Sequence, residues 1–131
     1  MSKRIVTAAA LTAALVFSGT TAYAATTSTQ LSNGTLYFEA QDGSVVSGNS
    51  SLFYGATKYK KTGGSTVYVY LKMDVKNGIF TSPQKAVSAG QTVSHSFGGK
   101  SKAQYAPDCK AAGLMNSNNG GPYWTPIVTF C

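Results

Sequence analysis

The residues of this chain that could act chemically on a substrate are one histidine and four carboxylates. His95 could serve as a general base, because histidine titrates close to neutral pH. It stands between Val93 and Phe97 in an alternating segment that is typical of a strand, and no Ser-His-Asp order or metal-ligand spacing surrounds it. An enzyme built on His95 is therefore an alternative, whereas the sequence favours a non-enzymatic protein without a cofactor.

A glycosidase would need two carboxyl groups, one on each side of the scissile bond. Asp42 and Asp108 lie in turn contexts, where aspartate more often closes the turn. Glu39 and Asp74 are left, and they belong to separate predicted strands. Nothing in the sequence connects this pair.

Tyrosines and lysines offer a different chemistry, the binding of a surface. A tyrosine ring with its polar tip suits sugars and protein partners, and lysine attracts anions. Tyr68 and Tyr70, together with Tyr59 and its neighbouring lysines, could form an exposed patch. The alternative, which the sequence favours, is that a second sheet covers Tyr68 and Tyr70 in a core. The candidate binding residues are Lys58, Tyr59, Lys60, Lys61, Tyr68, Tyr70 and Trp124.

The segment that positions these tyrosines is 66–74, in which aliphatic residues alternate with Tyr and Lys. A period of two predicts a strand with one buried face. Similar alternation predicts strands at 35–40 and 91–97, and turn residues such as Asn77-Gly78 separate the segments. No helical period is long enough to predict a helix. The fold class is all-β, a small antiparallel sandwich or barrel.

The two cysteines, Cys109 and Cys131, are predicted to form a disulfide in an oxidising compartment. Facing residues of an antiparallel pair have a constant index sum, so facing cysteines place the turn at Gly120. The bridge would close the open end of this C-terminal hairpin. The two cysteines would form a hydrogen-bonded pair with Cα atoms about 5.5 Å apart, unless a bulge near Pro126 shifts the register. The core face of the hairpin would hold Ala112, Leu114, Trp124, Val128 and Phe130.

The start of the chain has the features of a signal peptide. Lys3 and Arg4 are basic, residues 5–17 form an apolar run, and Ala22-Tyr23-Ala24 is a small-x-small cleavage site. The apolar run is too short to cross a bilayer as a stable helix. We expect cleavage after Ala24 and a secreted, extracellular product that does not span a membrane.

The remaining chain fits one domain. Residues 25–34 are rich in Thr and Ser and are predicted to be a flexible leader, and residues 35–131 a single β domain. Residues 25–131 hold nine lysines against four acids, which gives a net charge of +5, and no arginine. This charge favours anionic surfaces, whereas lysine without arginine argues against nucleic acid as a partner.

Two stretches resemble known protein families. The run from Cys109 to Cys131, with Cys-x3-Gly-Leu-Met, an Asn/Gly turn, Tyr-Trp-Thr-Pro and a final Cys, is similar to small secreted, disulfide-closed proteins of Gram-positive bacteria without assigned activity. Residues 51–67, with Tyr59-Lys60-Lys61 and Ser65-Thr66-Val67, resemble lactococcin-type bacteriocins. The second resemblance implies a secreted β-sandwich directed at a cell-wall precursor.

These observations favour a secreted protein that binds at the cell surface. Its expected partners are an anionic cell-wall polymer, a carbohydrate or a surface protein of a competing cell. A protease inhibitor is the alternative, since a disulfide preorganises a loop for a protease cleft. Residues 114–116 or 121–123 would then enter the cleft.

Overall fold

A computed structural model describes residues 24–131, in which two antiparallel sheets pack face to face. The predicted signal peptide falls on residues 1–23, outside the described residues, and on Ala24. Within residues 24–131, none of the helices has the length and apolarity needed to cross a membrane.

Sheet A has the strand order β1-β2-β3-β7, with β8 paired to β3. Its strands are β1 (Ala24–Leu31), β2 (Gly34–Asp42), β3 (Leu52–Lys61), β7 (Thr92–Ser96) and β8 (Lys100–Ser101). Two single-turn helices, α1 (Gly43–Val46) and α2 (Lys102–Tyr105), connect strands of this region. Each begins at a side chain that accepts a backbone N–H, Asp42 for α1 and Ser101 for α2. Four residues are too few for a helical period to be visible in the sequence.

Sheet B has the order β10-β9-β4-β5, with β6 paired to β4 and β11 paired to β9. Its strands are β4 (Val67–Val75), β5 (Gly78–Thr81), β6 (Lys85–Val87), β9 (Lys110–Ser117), β10 (Gly120–Trp124) and β11 (Val128–Thr129). The strand predicted over 66–74 is therefore β4, and it lies in the middle of this sheet.

The core lies between the sheets, because alternate residues of the long strands point toward the opposite sheet. Leu36 and Phe38 of β2 have no exposed surface, and neither do Leu71 and Met73 of β4. One core cluster joins Phe38 and Phe53 of sheet A to Met73 of sheet B. The all-β antiparallel prediction is confirmed, and the two sheets stay separate without closing into a barrel.

The segment predicted as a flexible leader forms strand β1 instead. It pairs with β2 along its whole length, from Ala24 opposite Gln41 to Leu31 opposite Gly34. Its inward side chains contribute to the interior, since Ala25 and Leu31 pack against the two main core clusters. A Thr/Ser-rich composition suggested mobility, but threonine also suits a pleated strand with one solvated face.

The C-terminal hairpin has a different register from the predicted one. Trp124 pairs with Leu114, while Val128 pairs with Ala111, so the register shifts between β10 and β11. Another shift lies between Gly120 and Tyr123. As a result Val128 and Phe130 lie in the core as predicted, but Ala112, Leu114 and Trp124 lie on the outer face of sheet B, where Trp124 is 47 % exposed.

The predicted disulfide between Cys109 and Cys131 is present, with Cα atoms 5.6 Å apart. Cys109 itself has a left-handed φ of 58°, and its carbonyl accepts the backbone N–H of Phe130 at 2.9 Å. Phe130, one residue before Cys131, is therefore the partner of Cys109 across the pair. The bridge closes the open end of the β9–β11 pair, but the cysteines are not the hydrogen-bonded pair that was predicted.

Candidate functional site

The predicted binding residues lie in three separate places. Successive side chains of β3 alternate, so Lys58 and Lys60 lie on the outer face of sheet A. Tyr59 and Lys61 point toward sheet B and are only 4 % and 1 % exposed. The others, Tyr68, Tyr70 and Trp124, lie on sheet B. The single patch of tyrosines and lysines therefore does not form, because alternation divides β3 and the tyrosines of β4 belong to the other sheet.

The outer face of sheet B carries three exposed aromatic side chains, which we call the aromatic face: Tyr68, Tyr70 and Trp124. Their exposed fractions are 48 %, 40 % and 47 %. The favoured prediction that a second sheet covers Tyr68 and Tyr70 is wrong. Sheet A packs on the opposite face of β4, where Val69 and Leu71 have no exposed surface.

The strand register fixes the positions of these aromatic residues relative to one another. Trp124 of β10 pairs with Leu114 of β9, and Leu114 pairs with Lys72 of β4. Tyr70 stands two residues before Lys72 on the same strand and the same face. Strand spacing and rise put the Cα atoms of Tyr70 and Trp124 roughly 12 Å apart. The face is thus an open surface that spans β4, β9 and β10 and suits an extended ligand.

The rim of the aromatic face is held by polar contacts. Asn118 in the β9–β10 turn accepts the backbone N–H of Tyr68 at 3.0 Å through Oδ1, and its own N–H donates to the Tyr68 carbonyl at 3.1 Å. Thr29 of β1 donates through Oγ1 to the carbonyl of Trp124 at 2.8 Å. The backbone that carries Tyr68 and Trp124 is therefore fixed at both ends of the face.

A second feature is a small cavity at the end of the core, which we call the Lys61 cavity. Its volume is about 40 Å³, and it opens between the β1–β2 turn and the β9–β10 turn. Beside apolar residues it is lined by polar side chains from both sheets: Ser32, Asn33, Tyr59, Lys61, Ser117, Asn119 and Tyr123. Burial and the nearby Tyr123 raise the pKa of Tyr59, so its hydroxyl stays protonated and donates to the Asn33 carbonyl at 3.3 Å.

Comparisons with protein-family models, with curated proteins and with solved structures gave no match for this chain.

A buried carboxyl group lies on the outer face of sheet A. Glu39 of β2 pairs with Thr26 and Ala56 on the neighbouring strands and has no exposed surface. Within residues 24–131, neither carboxyl oxygen of Glu39 has a hydrogen-bond partner. Burial raises the pKa of Glu39 to about 8, although the charge of Lys58 opposes this shift. Lys58, whose own pKa is lowered by burial, lies 4.7 Å from the Tyr37 ring centroid.

The residues considered for catalysis do not converge. Glu39 lies on the outer face of sheet A and Asp74 on the outer face of sheet B, so the thickness of the sandwich separates these carboxyl groups. His95 of β7 contacts the Phe97 ring edge-on, with centroids 4.9 Å apart. Burial and the charge of Lys85 lower the pKa of His95, which favours the neutral ring. Among residues 24–131, no cluster of three His, Cys, Asp or Glu side chains could hold a metal ion.

The segments considered for protease inhibition lie in strands. Residues 114–116 belong to β9, the neighbour of the central strand β4, and Leu114 and Met115 are buried. Residues 121–123 belong to the edge strand β10, where Gly121 and Pro122 are exposed.

Sequence reasoning missed Tyr123 and Asn33 as companions of Lys61. The signal was present in part, because Asn33-Gly34 and Asn118-Asn119-Gly120 are turn sequences. What the sequence lacks is the information that both turns meet at one end of the sandwich. That follows only from β1 being a strand and from the register of β9 and β10.

Proposed function

We propose that this chain is a secreted, non-enzymatic protein that binds a sugar-bearing polymer of the bacterial cell wall through its aromatic face. The observation that carries the proposal is the exposure of Tyr68, Tyr70 and Trp124 on the same outer face of sheet B. Single exposed apolar residues are ordinary on protein surfaces, but a cluster of exposed rings is typical of an interaction surface.

The chemistry of these side chains fits a carbohydrate. A sugar presents apolar C–H surfaces that stack on an aromatic ring, and its hydroxyl groups can bond to the tyrosine and indole polar tips. The open outer face of sheet B allows an extended polymer to cross several strands.

The charge of the chain fits an anionic polymer. Residues 25–131 carry a net charge of +5, and Lys72 lies on the same outer face as the aromatic side chains. A positive protein accumulates at an anionic wall through long-range attraction, while the aromatic contacts supply short-range affinity. Binding to the wall of a competing cell would make the protein bacteriocin-like.

The proposal is tested by sedimentation with purified Gram-positive cell walls. Removing both rings in Tyr68→Ala/Tyr70→Ala should weaken retention by about tenfold, since each ring contact contributes on the order of 0.5–1.5 kcal/mol. Ile79→Ala is the control, because it removes a side chain that is 54 % exposed but pairs with Asp74, four residues along β4 from Tyr70. Equal retention of the double variant and the control would overturn the proposal.

A further inference from the structure

The most unusual charged group in the interior is the ammonium group of Lys61. This residue ends β3 on the side that faces sheet B, and it is 1 % exposed. Its Nζ donates to the carbonyl of Gly63. Among residues 24–131, no carboxylate forms an ion pair with it, since the ion pair found there joins Lys102 to Asp42.

A buried ammonium without a counter-ion is costly. Burying a charge is unfavourable unless it is paired and fully hydrogen-bonded. Lysine carries three N–H donors, and within residues 24–131 only the Gly63 carbonyl accepts from Lys61. The remaining two donors and the positive charge therefore favour an acceptor that comes from outside the chain.

The surroundings of Lys61 supply further donors and no negative charge. Asn33, Asn119 and Tyr123 line the same cavity, and none of its lining residues is acidic. A Cβ atom placed at Gly64 would lie 3.2 Å from Lys61 Nζ and 2.8 Å from Asn33 Nδ2, so both nitrogen atoms flank the same point. Gly64 has a φ of 78°, which suits glycine and keeps that point free of a side chain.

We propose that the Lys61 cavity is a binding site for a small oxyanion, a carboxylate or phosphate group at the end of a larger ligand. Its volume of about 40 Å³ accommodates one such group. The ammonium supplies the charge, and the amide and hydroxyl groups around it supply directed hydrogen bonds. This site does not depend on the aromatic face, which lies on the other side of β4.

The test is isothermal titration of the protein with inorganic phosphate and, separately, with acetate, at constant ionic strength. We expect saturable binding of at least one of them. Saturation by phosphate alone identifies a phosphate-bearing ligand, and saturation by acetate alone identifies a carboxylate. In Lys61→Met the affinity should fall about tenfold or more, because charged hydrogen bonds are lost.

Lys60→Met is the matched control, since Lys60 directly precedes Lys61 in β3 but is exposed on the outer face of sheet A. It should bind like the unmodified chain. Replacing a buried ion with an apolar side chain of similar volume is often neutral or stabilising, so we expect Lys61→Met to fold. Tyr68→Ala/Tyr70→Ala should keep the anion affinity, which separates this test from that of the aromatic face.

Nuclear magnetic resonance locates the bound anion. During the same titration, the amide signals of Asn33 and Asn119 should shift in the unmodified chain and stay unchanged in Lys61→Met. The proposal is overturned if neither anion saturates, if both lysine variants lose affinity equally, or if the shifts fall on the outer face of sheet A.

Discussion

Leu114 and Trp124 face each other across the β9–β10 ladder on the outer side of sheet B, yet Leu114 is 4 % exposed and Trp124 is 47 % exposed. In this pair, the Leu114 side chain is therefore buried on the outer face, while the Trp124 indole is accessible to a ligand. Leu114 also pairs with Lys72 of β4, and Tyr70 lies two residues before Lys72 on the same face. The outer face of sheet B therefore combines aliphatic, aromatic and cationic side chains.

Glu39 should make the stability of the protein depend on pH. Burial raises the pKa of Glu39 to about 8 from an ordinary value of 4.5, so between these pH values the folded chain holds a proton that the unfolded chain has released. The stabilisation is complete below the lower value and is lost as the pH rises toward the higher one. Urea unfolding at pH 5 and pH 8 should show a smaller difference for Glu39→Gln than for the unmodified chain.

The control for Glu39 is Asp108→Asn, which removes an exposed carboxylate in a turn. This variant should keep the full pH dependence of the unmodified chain. Parallel pH profiles for all three proteins would show that Glu39 is not the group responsible.

The disulfide should contribute a large share of the free energy of unfolding. Cys109 and Cys131 are separated by 22 residues in the sequence, and closing a loop of this length contributes about 3 kcal/mol. Cys109→Ala/Cys131→Ala should lower the free energy of unfolding by about that amount in urea titrations. Addition of reductant should destabilise the unmodified chain and leave the double variant unchanged. A loss well below 1 kcal/mol would contradict the account.

Gly113 should be required by the close packing of the two sheets. A Cβ atom there would lie 2.7 Å from Cβ and 3.1 Å from Cγ of Phe38, in the middle of the core. Gly113→Ala should therefore destabilise the fold by roughly 1–3 kcal/mol, since the Cβ atom of Phe38 cannot move without shifting β2. Gly78→Ala is the control, because its Cβ atom would meet Tyr105 at an ordinary 3.6 Å. Equal melting temperatures for both variants would contradict this packing.

Asp42 should stabilise the fold through its contact between the starts of α1 and α2. Its carboxylate accepts the Ser44 N–H at 2.9 Å and pairs with Lys102 Nζ at 2.8 Å. Asp42→Ala should cost about 1–2 kcal/mol in thermal or urea unfolding, because both a helix cap and an ion pair are lost. Asp108→Ala, which removes a turn cap without an ion pair, should cost less. Equal costs for the two variants would show that the ion pair contributes nothing.

The sequence predicted the parts of the fold that depend on local periodicity. The alternation over 66–74 identified β4 and its buried face, because solvent on one side of a strand imposes a period of two. The presence of two cysteines identified the disulfide. Neither inference required knowledge of which strands pair.

The sequence-based predictions were wrong where the structure depends on which strands pair and in which register. Most of the Thr/Ser-rich segment 25–34 forms a strand because it pairs with the edge of β2 and because Leu31 packs against the core. Trp124 was predicted to be buried on the assumption of a uniform register, but the chain around Pro126 leaves the ladder before β11 begins. Pro126 cannot donate a ladder hydrogen bond, which was visible in the sequence, but the size of the resulting shift was not.

In the candidate site, too, the residue types were predictable from the sequence, but their burial was not. Residue types identified tyrosine, tryptophan and lysine as binding groups, but burial of Tyr59 and exposure of Tyr70 depend on which face of each strand the opposite sheet covers. The sequence predicts Lys61, from its charge, as part of an exposed patch. Its position inside the sandwich gives it a different role from that of Lys60.

The most direct test of the aromatic face uses the fluorescence of Trp124, which is the only tryptophan of the chain. Titration with solubilised cell-wall polysaccharide should shift the emission to shorter wavelength and protect the indole from acrylamide quenching, because the bound polymer covers a side chain that is 47 % exposed. Tyr68→Ala/Tyr70→Ala should require about tenfold more polymer for the same change. Retention on cell walls with unchanged Trp124 emission and quenching would contradict the account.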